Sequence, residues 1–149
     1  MKRLLKTYIE GEVEFVVLQE EAYVIDSFAW WEYFSGSTAG TRARPFIEGG
    51  NGITPTIVVA ELSEKCRREK LPFEDDLDFI ISKTRIVPLN IEIAREAGEL
   101  SHDRKRRIKR WGMADSIVLA TAVEFNAKVV TGDEHFRDLT HQAIMIRRL

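Results

Sequence analysis

The sequence contains a single cysteine, Cys66, among its 149 residues. It therefore cannot form an internal disulfide, which fits a reducing cytoplasm. No histidine shares a suggestive motif with this cysteine, so we interpret Cys66 as a small helical residue and not as a catalytic thiol. The three histidines, His102, His135 and His141, do not have the spacing of a zinc site, and we expect each of them to lie at the surface.

The sequence also lacks long apolar runs and a strong excess of either charge. No run approaches the roughly 18 apolar residues that a membrane span requires. Acidic residues at positions 10, 12 and 14 lie soon after the basic N-terminus, so no signal-peptide core is present. We therefore predict a cytoplasmic protein with no membrane partner. The formal net charge of −2 gives no overall indication of nucleic-acid binding, which would need a local basic patch.

Short β-branched runs alternate with helical patterns, which is typical of one α/β domain with a parallel sheet between helical layers. A chain of this length can bury enough surface for such a core, and it has no repeats, low-complexity tract or linker. Residues 1–21 precede this pattern and form an N-terminal extension. The predicted strands are 12–18, 22–26, 53–54, 85–89, 128–131 and 143–146. The predicted helices are 27–34, 42–47, 55–69, one that Pro72 opens, 91–110, one that begins at Asp115, and a short turn over 133–139.

Three aspartates occupy junctions between a strand or loop and the next helix: Asp26, Asp115 and Asp133. Asp is a preferred helix N-cap, so each could be only a cap. None has the Glu or Gln that would complete a capping box. In an open parallel sheet, however, ligands bind at the carboxyl ends of the strands, where Asp26 and Asp133 lie. Carboxylates that converge there repel one another unless a cation or protons neutralise them.

The helix at Asp115 suggests that this carboxylate points inward. Asp115, Val118, Leu119 and Ala122 share one helical face, so the acid stands at the head of an apolar stripe. A buried unpaired charge is costly.

Glu61 is the acid that capping does not explain, because it lies inside a predicted helix, beside its buried stripe. It could pair with a basic residue in the core, or it could join the three aspartates around a divalent cation with oxygen ligands.

Four segments together resemble a PIN domain, and in particular the VapC-type ribonuclease toxins of prokaryotic toxin–antitoxin pairs. The segments are VIDS at 24–27, AEL at 60–62, MADSIVLATA at 113–122 and VVTGDEHF at 129–136.

The resemblance implies a three-layer α/β/α fold over 22–149, with a central, mostly parallel sheet, and a metal-dependent ribonuclease. It implies that an acidic quartet binds Mg²⁺ or Mn²⁺, with Thr131 supporting the site. It also implies a protein antitoxin and a homodimer. The quartet is Asp26, Glu61, Asp115 and Asp133.

Two features depart from the family pattern. Phe28 stands where a small hydroxyl residue is common, so we expect Ser27 to serve instead. The 1–21 extension precedes the usual first strand, and we interpret it as an edge strand or a dimer arm.

A strongly basic segment precedes the Asp115 helix, with six cations in the seven residues 104–110. It could be a solvated helix end that suits the helix dipole, or an RNA-binding edge beside the site. The predicted RNA contacts are Arg104, Arg106, Arg107, Lys109 and Arg110; Arg42 and Arg44 could join them or bind an antitoxin tail.

Aromatic residues at 30, 31, 33 and 34 exceed what one face of a short helix can bury. They form either extra core or an interface with a partner.

Two other functions compete with the nuclease. A receiver-like signalling domain would also carry a strand-end phosphoacceptor Asp, but it expects a lysine after a late strand, where Gly132 and Asp133 stand. A degenerate PIN-like module would bind RNA or protein without cleaving it, and the intact acidic quartet argues against it.

Overall fold

Five parallel strands form the central sheet of the computed structural model, which describes residues 2–9 and 11–148. The strand order is β5-β4-β3-β6-β7. Val24 and Ile25 on β3, and Val129 and Val130 on β6, are completely buried, because helices cover both faces of the sheet. The strands are β3 (Tyr23–Ile25), β4 (Gly52–Pro55), β5 (Arg85–Val87), β6 (Lys128–Thr131) and β7 (Ala143–Met145).

Within the described residues, six helices connect and flank these strands, so the predicted three-layer α/β/α architecture is confirmed. They are α1 (Ser27–Ser35), α2 (Thr38–Glu48), α3 (Thr56–Arg68), α4 (Glu74–Lys83), α5 (Ile91–Lys105) and α6 (Met113–Glu124). A 3₁₀ turn, Glu134–Phe136, comes after β6. No helix of the described ranges is both long and apolar enough to cross a membrane.

Several helix boundaries differ from the prediction. Helix α2 begins at Thr38 because the Ser37 side chain accepts a hydrogen bond from the Gly40 N–H and caps it. Helix α4 begins at Glu74, after Pro72. Helix α5 ends at Lys105 instead of continuing to Arg110, which adopts a left-handed backbone with φ of 68°.

The N-terminal extension is an antiparallel hairpin of β1 (Lys2–Ile9) and β2 (Glu12–Gln19). The predicted strand at 12–18 is thus present, but the interpretation as an edge strand of the central sheet is wrong. Within the described residues, the hairpin forms a separate two-stranded sheet. The dimer-arm interpretation remains a prediction.

The aromatic residues of α1 mainly form core. The Trp30 side chain is completely buried, and its indole N–H donates to Thr54 Oγ1 at 3.1 Å. The Phe34 ring stacks on Trp30 at 5.4 Å, while Tyr33 stacks on Phe79 of α4 at 5.7 Å. Trp31, Tyr33 and Phe34 are all half-buried and pack against the core, and Lys65 Nζ lies 4.0 Å from the centroid of the Trp31 ring.

Candidate metal and nuclease site

Two of the predicted acids meet at the carboxyl edge of the sheet. Asp26 directly follows β3 and Asp133 lies just after β6, and these strands are neighbours. The Asp26 N–H donates to Val130 O at 3.1 Å, which extends the hydrogen-bond ladder between β3 and β6 as far as Asp26. The parallel register therefore brings the two aspartates together, as the sequence predicted.

The Asp26 carboxylate is 5% exposed and makes no cap hydrogen bond to α1, so capping does not explain it. Thr131 Oγ1 donates to Asp26 Oδ2 at 2.7 Å. The pKa of Asp26 is raised to about 7, mainly by burial and then by the charges of Glu61 and Asp115, although the Thr131 hydroxyl and the Ser27 N–H lower it. A carboxylate is thus held where ionisation is unfavourable.

Thr131 joins the two strand ends through one hydroxyl group. Besides donating to Asp26, Oγ1 accepts a hydrogen bond from the Asp133 N–H at 3.0 Å. Thr131 is completely buried, so this hydroxyl fixes the spacing of the two acids.

Glu61 faces the aspartates from α3. Its pKa is raised, first by burial and then by the charges of Asp115 and Asp133, while a hydrogen bond with the Ser27 side chain lowers it. Among the side chains that the structure describes, no lysine or arginine forms an ion pair with Glu61. The alternative of a buried pair with a basic residue is therefore not observed.

Asp115 lies in the first turn of α6, not at its start. The helix begins two residues earlier, and Asp115 Oδ2 accepts a hydrogen bond from the Gly112 N–H at 3.0 Å. This is the half of a capping box that a glycine N-cap allows, because Gly112 has no side chain to accept the Asp115 N–H. It differs from the prediction, in which the helix started at the aspartate itself. The expected buried face is present, but residues 116–122 are all buried, so α6 is enclosed on every side there.

His135 was expected at the surface, and this expectation is wrong. Its Nδ1 lies 3.3 Å from Asp115 Oδ2 and 3.6 Å from Asp133 Oδ1. The carboxylate of Asp133 also accepts the His135 N–H at 2.9 Å, so Asp133 is a cap as well as a site residue. The 3₁₀ turn after Asp133 places this side chain beside Asp115 of α6, a contact between distant segments that the sequence did not indicate.

Arg104 was predicted to contact RNA, but the structure places it in the interior. It is 7% exposed, and its guanidinium donates to both carboxylate oxygens of Asp138 at 2.6 and 2.9 Å. It also donates to His135 O at 2.7 Å and lies 4.4 Å from the centroid of the Trp111 ring. Arg104 therefore ties α5 to the loop that carries Asp133 and His135, and it is not available to phosphate.

Other basic residues remain accessible. Arg106, Arg107, Lys109 and Arg110 are exposed. Sequence reasoning missed two cations, Lys65 and Arg68, which line a pocket of about 320 Å³ together with Ser27, Phe28, Glu61, Leu62 and Glu64.

The two more distant arginines have local partners. Arg42 donates to Ile146 O at 2.9 Å, and Arg44 pairs with Glu48 at 3.0 Å. The Arg44–Glu48 pair is exposed, like the pair of Arg68 with Glu64 at 3.6 Å, and such surface pairs contribute little to stability.

Phe28, the departure from the family pattern, has a packing role. A Cβ atom on Gly132 would lie 2.3 Å from Phe28 Cε1, so the ring lies directly against the backbone between Thr131 and Asp133. The hydroxyl of Ser27 is directed to Glu61 instead.

The acidic residues fit a divalent cation by their donor chemistry and their electrostatics. Asp26 and Glu61 both have raised pKa values, partly through Asp115, and Asp133 contributes to the rise at Glu61. Oxygen ligands suit hard divalent cations, whose charge would relieve this crowding. The ligand atoms of Asp115, Asp133 and His135 all lie within 4.8 Å of one another.

Comparisons with known proteins agree with this architecture. The family model of the PIN domain matches residues 23–142. No curated relative matches the sequence.

Solved structures with the same fold are distant in sequence. A toxin–antitoxin complex from Klebsiella pneumoniae matches with a TM-score of 0.67 at 17% identity, covering 86% of this chain and 100% of that one. A DNA-bound VapBC from Salmonella typhimurium matches with a TM-score of 0.64 at 15% identity, covering 86% and 100%. VapC20 from Mycobacterium tuberculosis, described as a toxin that cleaves the sarcin–ricin loop, matches with a TM-score of 0.62 at 12% identity, covering 79% and 95%. Since the family model spans well over half of the sequence, the chain belongs to the PIN domain family.

Proposed function

We propose that the chain is a divalent-metal-dependent endoribonuclease that acts as the toxin of a toxin–antitoxin pair. The observation that carries the proposal is the electrostatic coupling of four acids in a PIN domain: Asp26 is raised in pKa by the charges of Glu61 and Asp115, and Glu61 by those of Asp115 and Asp133. Asp26 and Glu61 have raised pKa values, and capping explains neither residue. A stable fold does not need such an arrangement, whereas metal-dependent phosphodiester hydrolysis uses carboxylates of this kind to hold the cation.

Asp26, Glu61, Asp115 and Asp133 would hold Mg²⁺ or Mn²⁺. When bound, such a cation activates water and stabilises charge on a phosphodiester. The chain itself keeps the carboxylates in place through Thr131, Ser27 and the Gly112 N–H.

Substrate contacts would come from cations on both sides of the acids. Lys65 and Arg68 line the pocket beside Glu61, where a phosphate that approaches the carboxylates would pass. The exposed cations at 106, 107, 109 and 110, between α5 and α6, would add further phosphate contacts, so RNA binding should weaken steeply with salt.

A protein antitoxin is the proposed regulatory partner. The Klebsiella pneumoniae structure is a toxin–antitoxin complex, and its matched chain is covered completely by this one. A homodimer, with the N-terminal hairpin as a contact arm, is the further proposed assembly.

Cleavage of RNA by the purified protein tests this function. We expect Mg²⁺- or Mn²⁺-dependent cleavage that EDTA abolishes and that Asp115→Asn removes while far-UV circular dichroism is retained. Asp78→Asn, which alters an exposed acid on α4, is the matched control and should cleave normally. Metal-independent cleavage, or an active Asp115→Asn variant, would overturn the proposal. RNA binding without cleavage under any metal would favour the non-catalytic PIN module.

A further inference from the structure

His135 is a potential metal ligand that the acidic quartet does not include. It lies in the 3₁₀ turn after β6, and its side chain is 26% exposed. The ring Nδ1 faces both Asp115 and Asp133, which belong to different elements of the fold. The imidazole and the two carboxylates together offer one nitrogen donor and two oxygen donors.

The spacing of these donors resembles that of a coordination site. Nδ1 lies 3.3 Å from Asp115 Oδ2 and 3.6 Å from Asp133 Oδ1. A cation bound at about 2.0–2.2 Å holds adjacent ligand atoms roughly 3.0–3.5 Å apart. Among the residues that the structure describes, only Asp115, Asp133 and His135 bring three donors this close together.

Backbone hydrogen bonds fix the turn that carries His135. Its carbonyl accepts a hydrogen bond from Arg104 at 2.7 Å, and its N–H donates to Asp133 at 2.9 Å. Arg104 is itself held by two hydrogen bonds to Asp138, which keep the turn against α5. These contacts hold the backbone from which the imidazole projects between the two carboxylates.

We propose that His135 supplies a nitrogen ligand beside Asp115 and Asp133, so that the site binds a first-row transition ion such as Mn²⁺ more tightly than Mg²⁺. Imidazole nitrogen suits transition metals, whereas Mg²⁺ prefers oxygen and water. This inference rests on the proposed function because it concerns the same site, and it replaces the expectation of oxygen-only ligands.

Pulsed electron paramagnetic resonance of bound Mn²⁺ tests the ligand directly. The spectrum of the wild-type protein should show ¹⁴N modulation from a coordinated imidazole, and His135→Gln should lose it. His102→Gln, which changes an exposed histidine of α5, should keep it. The absence of ¹⁴N modulation in the wild type would overturn the proposal without any dependence on how the variants fold.

Metal selectivity supplies the second readout. Titration of Mn²⁺ with and without competing Mg²⁺ should give a wild-type preference for Mn²⁺ of about tenfold or more. His135→Gln should lose most of that preference with little change in Mg²⁺ affinity, while His102→Gln should match the wild type. An unchanged preference in His135→Gln would refute the inference.

The binding experiments separate this inference from the nuclease proposal. Mn²⁺ bound through His135 without RNA cleavage would contradict the nuclease alone. Metal-dependent cleavage by a protein with no nitrogen ligand would contradict the His135 inference alone.

Discussion

Replacement of Asp26 by Asn should stabilise the metal-free protein at alkaline pH. Asp26 is 5% exposed, and its pKa is raised by burial and by the negative charges of Glu61 and Asp115. Asn is nearly isosteric and neutral, and its amide oxygen can still accept the Thr131 hydrogen bond. The variant therefore removes an unfavourable charge while keeping the main contact.

The magnitude can be worked out from the pKa, which rises from 3.8 to about 7 on folding. One pKa unit corresponds to about 1.4 kcal/mol, so ionisation of Asp26 opposes folding by about 4 kcal/mol above pH 7. Since the folded state binds the proton more tightly, wild-type stability is lost as pH rises from about 4 to 7. Because the substitution recovers only part of this free energy, we expect Asp26→Asn to raise the free energy of unfolding by about 2–4 kcal/mol at pH 8, or the melting temperature by roughly 5–10 °C.

Thermal unfolding in EDTA at pH 8 and pH 5 measures this effect. The advantage of Asp26→Asn should shrink by more than half at pH 5, and Asp78→Asn should show no comparable gain. Saturating Mn²⁺ should reverse the order, because ligand binding stabilises the wild type more than the variant. A variant that is less stable than the wild type in EDTA at pH 8 would refute the electrostatic explanation of this carboxylate.

Three further changes test how the site is supported. Thr131→Val should lower the free energy of unfolding by about 1–3 kcal/mol and slow RNA cleavage, because one hydroxyl holds two acids; unchanged stability and cleavage would contradict this role. Gly132→Ala should lower the free energy of unfolding, measured by chemical denaturation, by about 1–3 kcal/mol, because the new Cβ would clash with the Phe28 ring. A double variant with Phe28→Ala should recover part of this loss. Arg104→Met should lower the free energy of unfolding by about 2–3 kcal/mol and weaken Mn²⁺ binding. Arg106→Met should mainly weaken RNA binding at low salt. Equal behaviour of the two variants would contradict a buried role for Arg104.

The fold could be predicted from the sequence because its strongest signals are local. The runs around Val24 and Val129 are short, β-branched and uncharged, which fits strands buried on both faces of a sheet. Asp26 and Asp133 come directly after these strands, so their meeting at one edge was also predictable. Helix boundaries that side-chain capping sets, such as the Ser37 cap of α2, were harder to predict from the sequence.

The parts of the site that were missed depend on contacts between distant segments. Arg104 looks like its basic neighbours in the sequence, and only its pairing with Asp138, 34 residues later, makes it a buried residue. His135 faces Asp115 across 20 residues, a relation that no local pattern encodes. The hairpin was recognised as an addition, but strand periodicity alone does not say which sheet a strand joins.

The proposed nuclease site depends most directly on Glu61, the acid that capping does not explain. Cleavage of RNA by Glu61→Gln, compared with the wild type and with Glu69→Gln at the exposed end of the same helix, is the measurement that tests it. We predict that Glu61→Gln keeps its fold and loses metal-dependent cleavage by at least about 100-fold, while Glu69→Gln cleaves as the wild type does. A fully active Glu61→Gln variant would contradict the four-carboxylate site.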